Sequence, residues 1–408
     1  MSIPSEEKVG IRLILADRSI RAVMLVALVM TIGIGIILPV LPLYARSFGV
    51  GYGGVGVLLG AYGLARLLSD LGAGLLVDRI GPRASGTAGF AVVALFSLLT
   101  GLAPSYPVAV VCWGAAGVGS AVGFAALFSY LLRVVPKHRM ARTLSVFYGS
   151  FNVGVVIGGF AAGFVAEHLG LAGPLFVNAG LLALTAGLYL RAVPRLEAIE
   201  SRESRATGKR PGLRATLGRP GLLTVAVVNL AYLWMIAAVF DTLVPLFGKD
   251  ELGMSTVAIG VVFAVALATE LAVLYPAGSL SDRRGRKVVL VPALAGLAVM
   301  TVVLGFAGSP LALGGLMAIL GVASGFAGVP PGAMLADVVP EGESGTAVGV
   351  FRFFGDLGFM VGPLVAGFTS GSLGFAWAFA LAAVPTVVAL GLVARTPETM
   401  KPAQAPGV

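Results

Sequence analysis

The stretch Gly278–Lys287 reads GSLSDRRGRK, and its surroundings decide how the chain can fold. An apolar run ends at residue 278 and another begins at Val288. Between them stand one acid, Asp282, and four bases, Arg283, Arg284, Arg286 and Lys287. Lipid offers no partner to a backbone N–H or C=O, so membrane-length apolar segments must be helical. So short a charged turn makes the two segments an antiparallel helical hairpin. Its bases keep the turn on the cytoplasmic side.

Composition extends this reading to the whole chain. Of 408 residues, 58% are hydrophobic and 12% charged, and the mean hydropathy is +0.98. A soluble chain carries about 25% charged residues. The 58 glycines are about twice the usual share and allow membrane helices to approach closely. The single cysteine, Cys112, excludes an intrachain disulfide and a cysteine-based metal cluster. His138 and His168 lie too far apart for a metal pair, so no metal or cofactor is expected. The N-terminal stretch MSIPSEEKVGIRLILADRSIR is too polar for a cleaved signal peptide.

Twelve apolar runs are long enough to span: 22–44, 54–77, 84–103, 107–132, 144–167, 173–193, 220–245, 254–278, 288–307, 310–334, 345–368 and 373–394. They are numbered here as helices 1 to 12. With both termini inside, 24 of the 28 Lys and Arg residues fall in cytoplasmic segments. Only Arg46 and Lys249 fall in outer loops, and Arg66 and Arg352 lie within helices. The excess charge of +9 therefore reflects topology in a multi-pass cytoplasmic-membrane protein, and not nucleic-acid binding. The stretch 191–219 holds eight bases and three acids. It reads as a linker, either a solvated tether or a helix on the membrane surface. It divides the chain into an N-terminal half (1–193), a basic linker (194–219) and a C-terminal half (220–408).

The halves repeat. GLLVDRIGPR, Gly74 to Arg83, is a weaker copy of the opening stretch 204 residues earlier. Asp78 corresponds to Asp282, Arg79 to Arg283 and Gly81 to Gly285, while Pro82 stands where Arg286 would be expected. The same offset relates Gly56 to Gly260, Pro136 to Pro340, Gly154 to Gly358, Gly158 to Gly362 and Gly163 to Gly367. The doubled pattern G-x-L-x-D-R-x-G-R-K resembles the loop signature of the major facilitator superfamily of transporters. The resemblance implies an all-α fold of twelve transmembrane helices in two six-helix repeats, with a substrate path between halves that rock. It also implies a conformational latch: Asp78 against the start of helix 11, and Asp282 against the start of helix 5. Helix 11, GFMVGPLVAG from Gly358 to Gly367, resembles a glycine-proline motif of drug/proton antiporters. In that group the motif lies on helix 5, where this chain has Gly159 in place of the proline. Trp113 occupies the helix 4 position where those antiporters usually carry arginine.

Six ionisable residues fall within the spans, more than two residues from either end: Arg66, Asp70, Asp241, Glu270, Arg352 and Asp356. Charges inside a membrane are costly and mark candidate functional sites. Arg66 and Asp70 are four apart on helix 2, and Arg352 and Asp356 four apart on helix 11, so each pair shares a face. At 1.5 Å per residue, Asp70 and Arg352 both lie roughly 10–12 Å deep, and Arg66 and Asp356 roughly 17–18 Å deep. If helices 2 and 11 pack across the halves, as the resemblance implies, the contacts are Asp70–Arg352 and Arg66–Asp356. The alternative is that each pair closes within its own helix.

The repeat maps Arg66 to Glu270 and Asp356 to Asn152, placing Glu270 near Asn152 between helices 8 and 5. With no base there, Glu270 is a candidate proton carrier, or else a structural glutamic acid. Asp241, near the outer end of helix 7, is a second candidate, or else a water-exposed residue at a helix end. Candidate cavity residues are Tyr62, Trp113, Tyr130, Asn229, Tyr232 and Trp234, on helices that are otherwise mostly apolar, with Phe124 and Phe128 among them, and that carry few hydrogen-bonding groups. They suit an amphipathic solute better than a sugar.

No G-x-x-x-x-G-K-[ST] sequence is present, so a phosphate-cradling ATPase loop is absent. A membrane-embedded enzyme would need a nucleophile and base, or a metal, and the sequence supplies neither. A non-transporting receptor on the same fold is a further alternative. The reading is a secondary active transporter, functional as a monomer, with a small-molecule substrate and protons as partners. Proton-coupled efflux leads; uptake or facilitated diffusion of a metabolite is the alternative.

Overall fold

The computed structural model describes residues 18–135, 137–194, 221–339 and 344–400. The linker expected over 194–219 falls almost wholly outside the described residues. Those described form helices and turns with no strand among them. Eleven helical segments are long and apolar enough to cross a membrane.

One of the eleven belongs to a helix of 50 residues, Tyr52–Gly101, which contains two crossings. A straight helix of that length would reach about 75 Å, more than twice a bilayer's hydrocarbon thickness. It folds back at Gly81, whose backbone takes φ 80°, ψ 158°. The packing proves the reversal. Gly117 abuts the backbone of Tyr62 and Gly119 that of Gly89. Two positions less than a turn apart on helix 4 can touch both only if the longer helix doubles over. Helices 2 and 3 are therefore its two limbs, and the described residues make twelve crossings.

Helix 1 is Arg18–Ile37 with a short continuation, Leu41–Arg46. Helices 4, 5 and 6 are Tyr106–Val134, Lys137–Leu169 and Gly173–Ala192. Helix 7 runs Leu222–Met235, then π-helical Ile236–Leu243, then Val244–Asp250. Helices 8 and 9 are Thr256–Arg284 and Arg286–Leu304. Helix 10 is Pro310–Gly328 followed by Pro330–Val338, and helix 11 is Ser344–Leu373. Helix 12 is Phe375–Ala382 followed by Val384–Arg395.

The 204-residue repeat is written into the backbone. Among the described residues, only seven glycines have positive φ, and six form pairs at that offset: Gly49 with Gly253, Gly81 with Gly285, Gly170 with Gly374. These are turns that a side chain would strain. Helix 7 departs from the pattern. Leu28 and Ile32 pack on Gly154 as Leu230 and Trp234 pack on Gly358, an offset of 202. By Pro42 and Pro245 the offset is 203. The π-helical stretch between absorbs the added residue, which is how a one-residue insertion is accommodated in a continuous helix.

The halves meet most closely near the face opposite the basic turns. A Cβ on Gly56 would overlap the Pro363 carbonyl, so helix 2 lies backbone to backbone on helix 11. Gly163 meets the Thr256 carbonyl in the same way, joining helices 5 and 8, and Gly367 meets that of Tyr52. At the rim, Tyr52 Oη donates to Asp250 Oδ2 at 2.9 Å, and Arg46 lies 3.7 Å from the same carboxylate. Toward the basic face, by contrast, Gly72 and Gly149 have open space where a Cβ would stand. The structure is thus closed on the face opposite the basic turns.

Candidate functional site

Helix 2 presents Arg66 and Asp70 on one face because they are one turn apart, and helix 11 presents Arg352 and Asp356 likewise. The structure brings them together across the halves. Arg66 Nε lies 3.2 Å from Asp356 Oδ1, and Arg352 Nη2 donates to Asp70 Oδ2 at 3.1 Å. Asp356 is 3% exposed, and the other three side chains are partly exposed. Each charge is therefore paired by the opposite half, where an unpaired one would be expensive. The Arg352 guanidinium also stands 5.4 Å from the centroid of Phe124 on helix 4. Phe124 and Phe128 lie nearly parallel, their centroids 6.3 Å apart. Beside this network Tyr62 stacks on Trp113 at 5.0 Å.

Glu270 is partly buried on helix 8 with a different set of partners from the one its pseudo-symmetry suggested. Tyr232 Oη donates to Oε1 at 2.9 Å, and Ser324 Oγ to Oε2 at 3.1 Å. Both partners belong to the C-terminal half. The expected Glu270–Asn152 contact is not made, and Asn152 stays half-buried on helix 5. The physical reason is the direction Glu270 takes. Helices 5 and 8 touch at Gly163–Thr256, Gly159–Phe263 and Gly159–Leu267, but the Glu270 carboxyl turns to the hydroxyls of helices 7 and 10 within its own half. Among the described residues no base pairs with Glu270. A hydroxyl can donate to a carboxylate or accept from a carboxylic acid, so this pair of partners satisfies Glu270 in either state.

Asp241 also differs from one expectation. It is 2% exposed, within the π-helical stretch of helix 7, and is not a wetted residue at a helix end. Neither carboxyl oxygen has a hydrogen-bond partner among the described residues. The following Thr242 hydroxyl donates to the Ala237 carbonyl, bridging five residues.

The remaining candidates separate into packing and lining residues. Asn229 Nδ2 donates to the Phe351 carbonyl at 2.8 Å, which ties helix 7 to helix 11. Tyr130 is fully buried in the core of the N-terminal half, and Trp234 is partly buried against Gly358. Tyr62 and Tyr232 remain partly exposed.

In the turns, Arg79, Arg283 and Gly74 are exposed, and Gly278 is partly so. Asp78 lies 3.3 Å from Arg133. Asp282 pairs with Arg286, which also reaches Asp337 at 3.0 Å. Arg83 donates to the Leu190 carbonyl at 3.0 Å, and its counterpart Lys287 to that of Ala394, also at 3.0 Å. The latch residues expected at the starts of helices 5 and 11 lie outside the residues whose side chains are described. Sequence reasoning missed Ser324, Arg133, Asp337 and the rim residue Asp250. It also missed Glu398, which accepts from the backbone N–H groups of Arg286 and Lys287 at 3.1 and 3.0 Å. The constant offset alone could have flagged Arg133 and Asp337, which it maps onto one another.

With this geometry in hand, known proteins supply the family. The sequence profile of the Major Facilitator Superfamily matches residues 23–270 and 249–407. An uncharacterized MFS-type transporter of Methanocaldococcus jannaschii is 22% identical over 88% of this chain and 92% of its own length. The quinolone resistance protein NorA of Staphylococcus aureus is 22% identical over 55% of this chain and 57% of its own. The nucleoside transporter NupG superposes with a TM-score of 0.75 at 13% identity, over 92% of this chain and 99% of its own. The human organic anion transporter MFSD10 gives 0.69 at 17% identity, with the same coverage. By its profile, its doubled turn and its twelve-crossing architecture, this chain belongs to the major facilitator superfamily of membrane transporters, and it is not an enzyme.

Proposed function

We propose that the protein exports a small amphipathic solute across the cytoplasmic membrane in exchange for protons, with Glu270 carrying the coupled proton. The observation that carries this is the setting of Glu270: a carboxyl group partly exposed on the bundle interior, held by two hydroxyls and no base among the described residues. Such a group can gain and lose a proton without stranding a partner. Asp241 is a second proton-coupling candidate, reached by water only when the opposite face opens.

In this account the basic face is cytoplasmic, as the charge bias requires, and both termini lie there. The structure then corresponds to the state closed to the outside. Rocking of the halves would open the tight contacts of Gly56, Gly163 and Gly367, and rearrange the four-charge network. The path lies within one chain, so a monomer suffices. An amphipathic cargo suits the ring pairs Tyr62–Trp113 and Phe124–Phe128. Likeness to a quinolone resistance protein favours the outward direction.

The test is ethidium accumulation by everted membrane vesicles energised acid inside. Export by proton exchange predicts accumulation that collapses with the pH gradient and is lost in Glu270→Gln. Accumulation indifferent to the gradient would leave a facilitator. Ethidium driven out of the vesicles by the gradient would reverse the direction.

A further inference from the structure

The two turns that define the fold carry the same acid but not the same base. In the C-terminal half Arg286 lies between two carboxylates, Asp282 four residues before it and Asp337 at the end of helix 10. In the N-terminal half its place is held by Pro82, which has neither charge nor N–H. Yet Asp78 is paired there, by Arg133 at the end of helix 4. Arg133 is the 204-residue counterpart of Asp337. Both head the same local sequence, Arg133-Val134-Val135-Pro136 and Asp337-Val338-Val339-Pro340.

The scaffolds match as well. Gly81 and Gly285 share the turn conformation, with ψ 158° and 157°. Val135 and Val339 leave their helices with ψ 123° and 120°. What differs is the base, which stands in the turn in one half and at the end of the fourth helix in the other.

We propose that Arg133 is a positioning residue that replaces the base missing from the N-terminal turn, and that each half needs one ion-pair tie from this turn to its fourth helix. Two pins are shared by both turns, and the C-terminal turn is also held by Glu398. The second pin runs from Arg83 or Lys287 to a carbonyl at the end of the sixth helix of the half. A carbonyl can only accept, so that pin keeps a basic residue in both halves. The first pin joins two side chains, either of which can carry either sign, so its polarity is free to reverse. Holding the turn to helices 4 and 6 makes helices 2, 3, 4 and 6 move together when the halves rock, and fixes where Asp78 points.

The test recreates the C-terminal arrangement in the N-terminal half. Residue 82 begins helix 3 as Arg286 begins helix 9, so Pro82→Arg meets a backbone that already hosts arginine in the other copy. Amide hydrogen exchange of residues 74–83 is measured on the purified full-length protein for wild type, Pro82→Arg, Arg133→Asp and the double variant. For a partly exposed pair, Arg133→Asp should speed exchange about two- to fivefold. Pro82→Arg with Arg133→Asp should return it to the wild-type rate, because the introduced guanidinium then stands between Asp78 and the introduced carboxylate. Should Arg133→Asp fail to fold, a folded double variant is the same rescue, and Arg133→Gln should show the acceleration. Wild-type exchange in Arg133→Asp, or a double variant no slower than the single, would overturn the proposal.

Discussion

Exchanging Asp70 and Arg352 separates two ways of reading the four charges within the helices. In the wild type, pairing within each helix and pairing across the halves are both electrostatically satisfied. In Asp70→Arg with Arg352→Asp they are not. Helix 2 then carries two bases, Arg66 and the introduced one, and helix 11 two acids, Asp356 and the introduced one. Within-helix pairs become like-charged, whereas both cross-half pairs survive. The Asp70–Arg352 contact is 3.1 Å, with side chains 18% and 31% exposed. Coulomb's law with an effective dielectric of about 20 gives roughly 5 kcal/mol for charges at that distance. Solvent reaching a third of Arg352 and the cost of desolvation reduce the net coupling to about 1–3 kcal/mol. The assay is a double-mutant cycle on thermal unfolding of the purified protein, with Asp70→Asn and Arg352→Gln as the single variants, run beside ethidium transport. The swapped protein should retain transport that both singles lose. Coupling under about 0.5 kcal/mol, or a swap as damaged as either single, would refute cross-half pairing.

Four other outcomes follow from the same geometry. Asp250→Ala or Tyr52→Phe removes a contact between the halves at the outer rim, and should shift spin-label distances across that face toward a longer, open population. Identical distance distributions would count against a rim lock. Asp241→Asn keeps the shape of the π-helical segment but not its proton, so folding should be unchanged and the pH dependence of transport altered; an unaltered profile removes Asp241 from coupling. Gly56→Val should block the closed face sterically and abolish transport while leaving each half folded, which limited proteolysis can check. Finally, partial burial of Glu398 is outweighed by four backbone N–H donors, which hold its carboxyl below the ordinary glutamate range. Its stabilisation is therefore fully present above the ordinary value of about 4.3 and is lost as pH falls through the lowered one. Glu398→Gln should lower Tm by about 1–2 °C at neutral pH. The gap should close in acid, and a gap that widened would contradict the capping role.

The sequence made legible whatever depends on period and depth. Charged turns between membrane-length runs dictated the hairpins, and one constant offset exposed the repeat that the paired glycine turns also carry. Counting residues along straight helices matched the depths of Arg66 with Asp356 and of Asp70 with Arg352, and the family resemblance set helix 2 against helix 11. Glu270 was misplaced because pseudo-symmetry treats the two interfaces as equivalent, whereas its carboxyl group turns to hydroxyls within its own half. Its real partners, Tyr232 and Ser324, sit on helices whose adjacency to helix 8 no spacing in the chain reveals. Asp241 was read against an uninterrupted α-helix. The π-helical insertion lies between matching positions and is found only by noticing that the offset drifts from 202 to 203.

The central claim is that proton and substrate meet through Glu270. Proton release from the purified protein in detergent, on adding candidate substrates one at a time, tests it most directly. Release by the wild type that disappears in Glu270→Gln is the predicted result. Substrate binding with no release from either protein, or equal release from both, would contradict it.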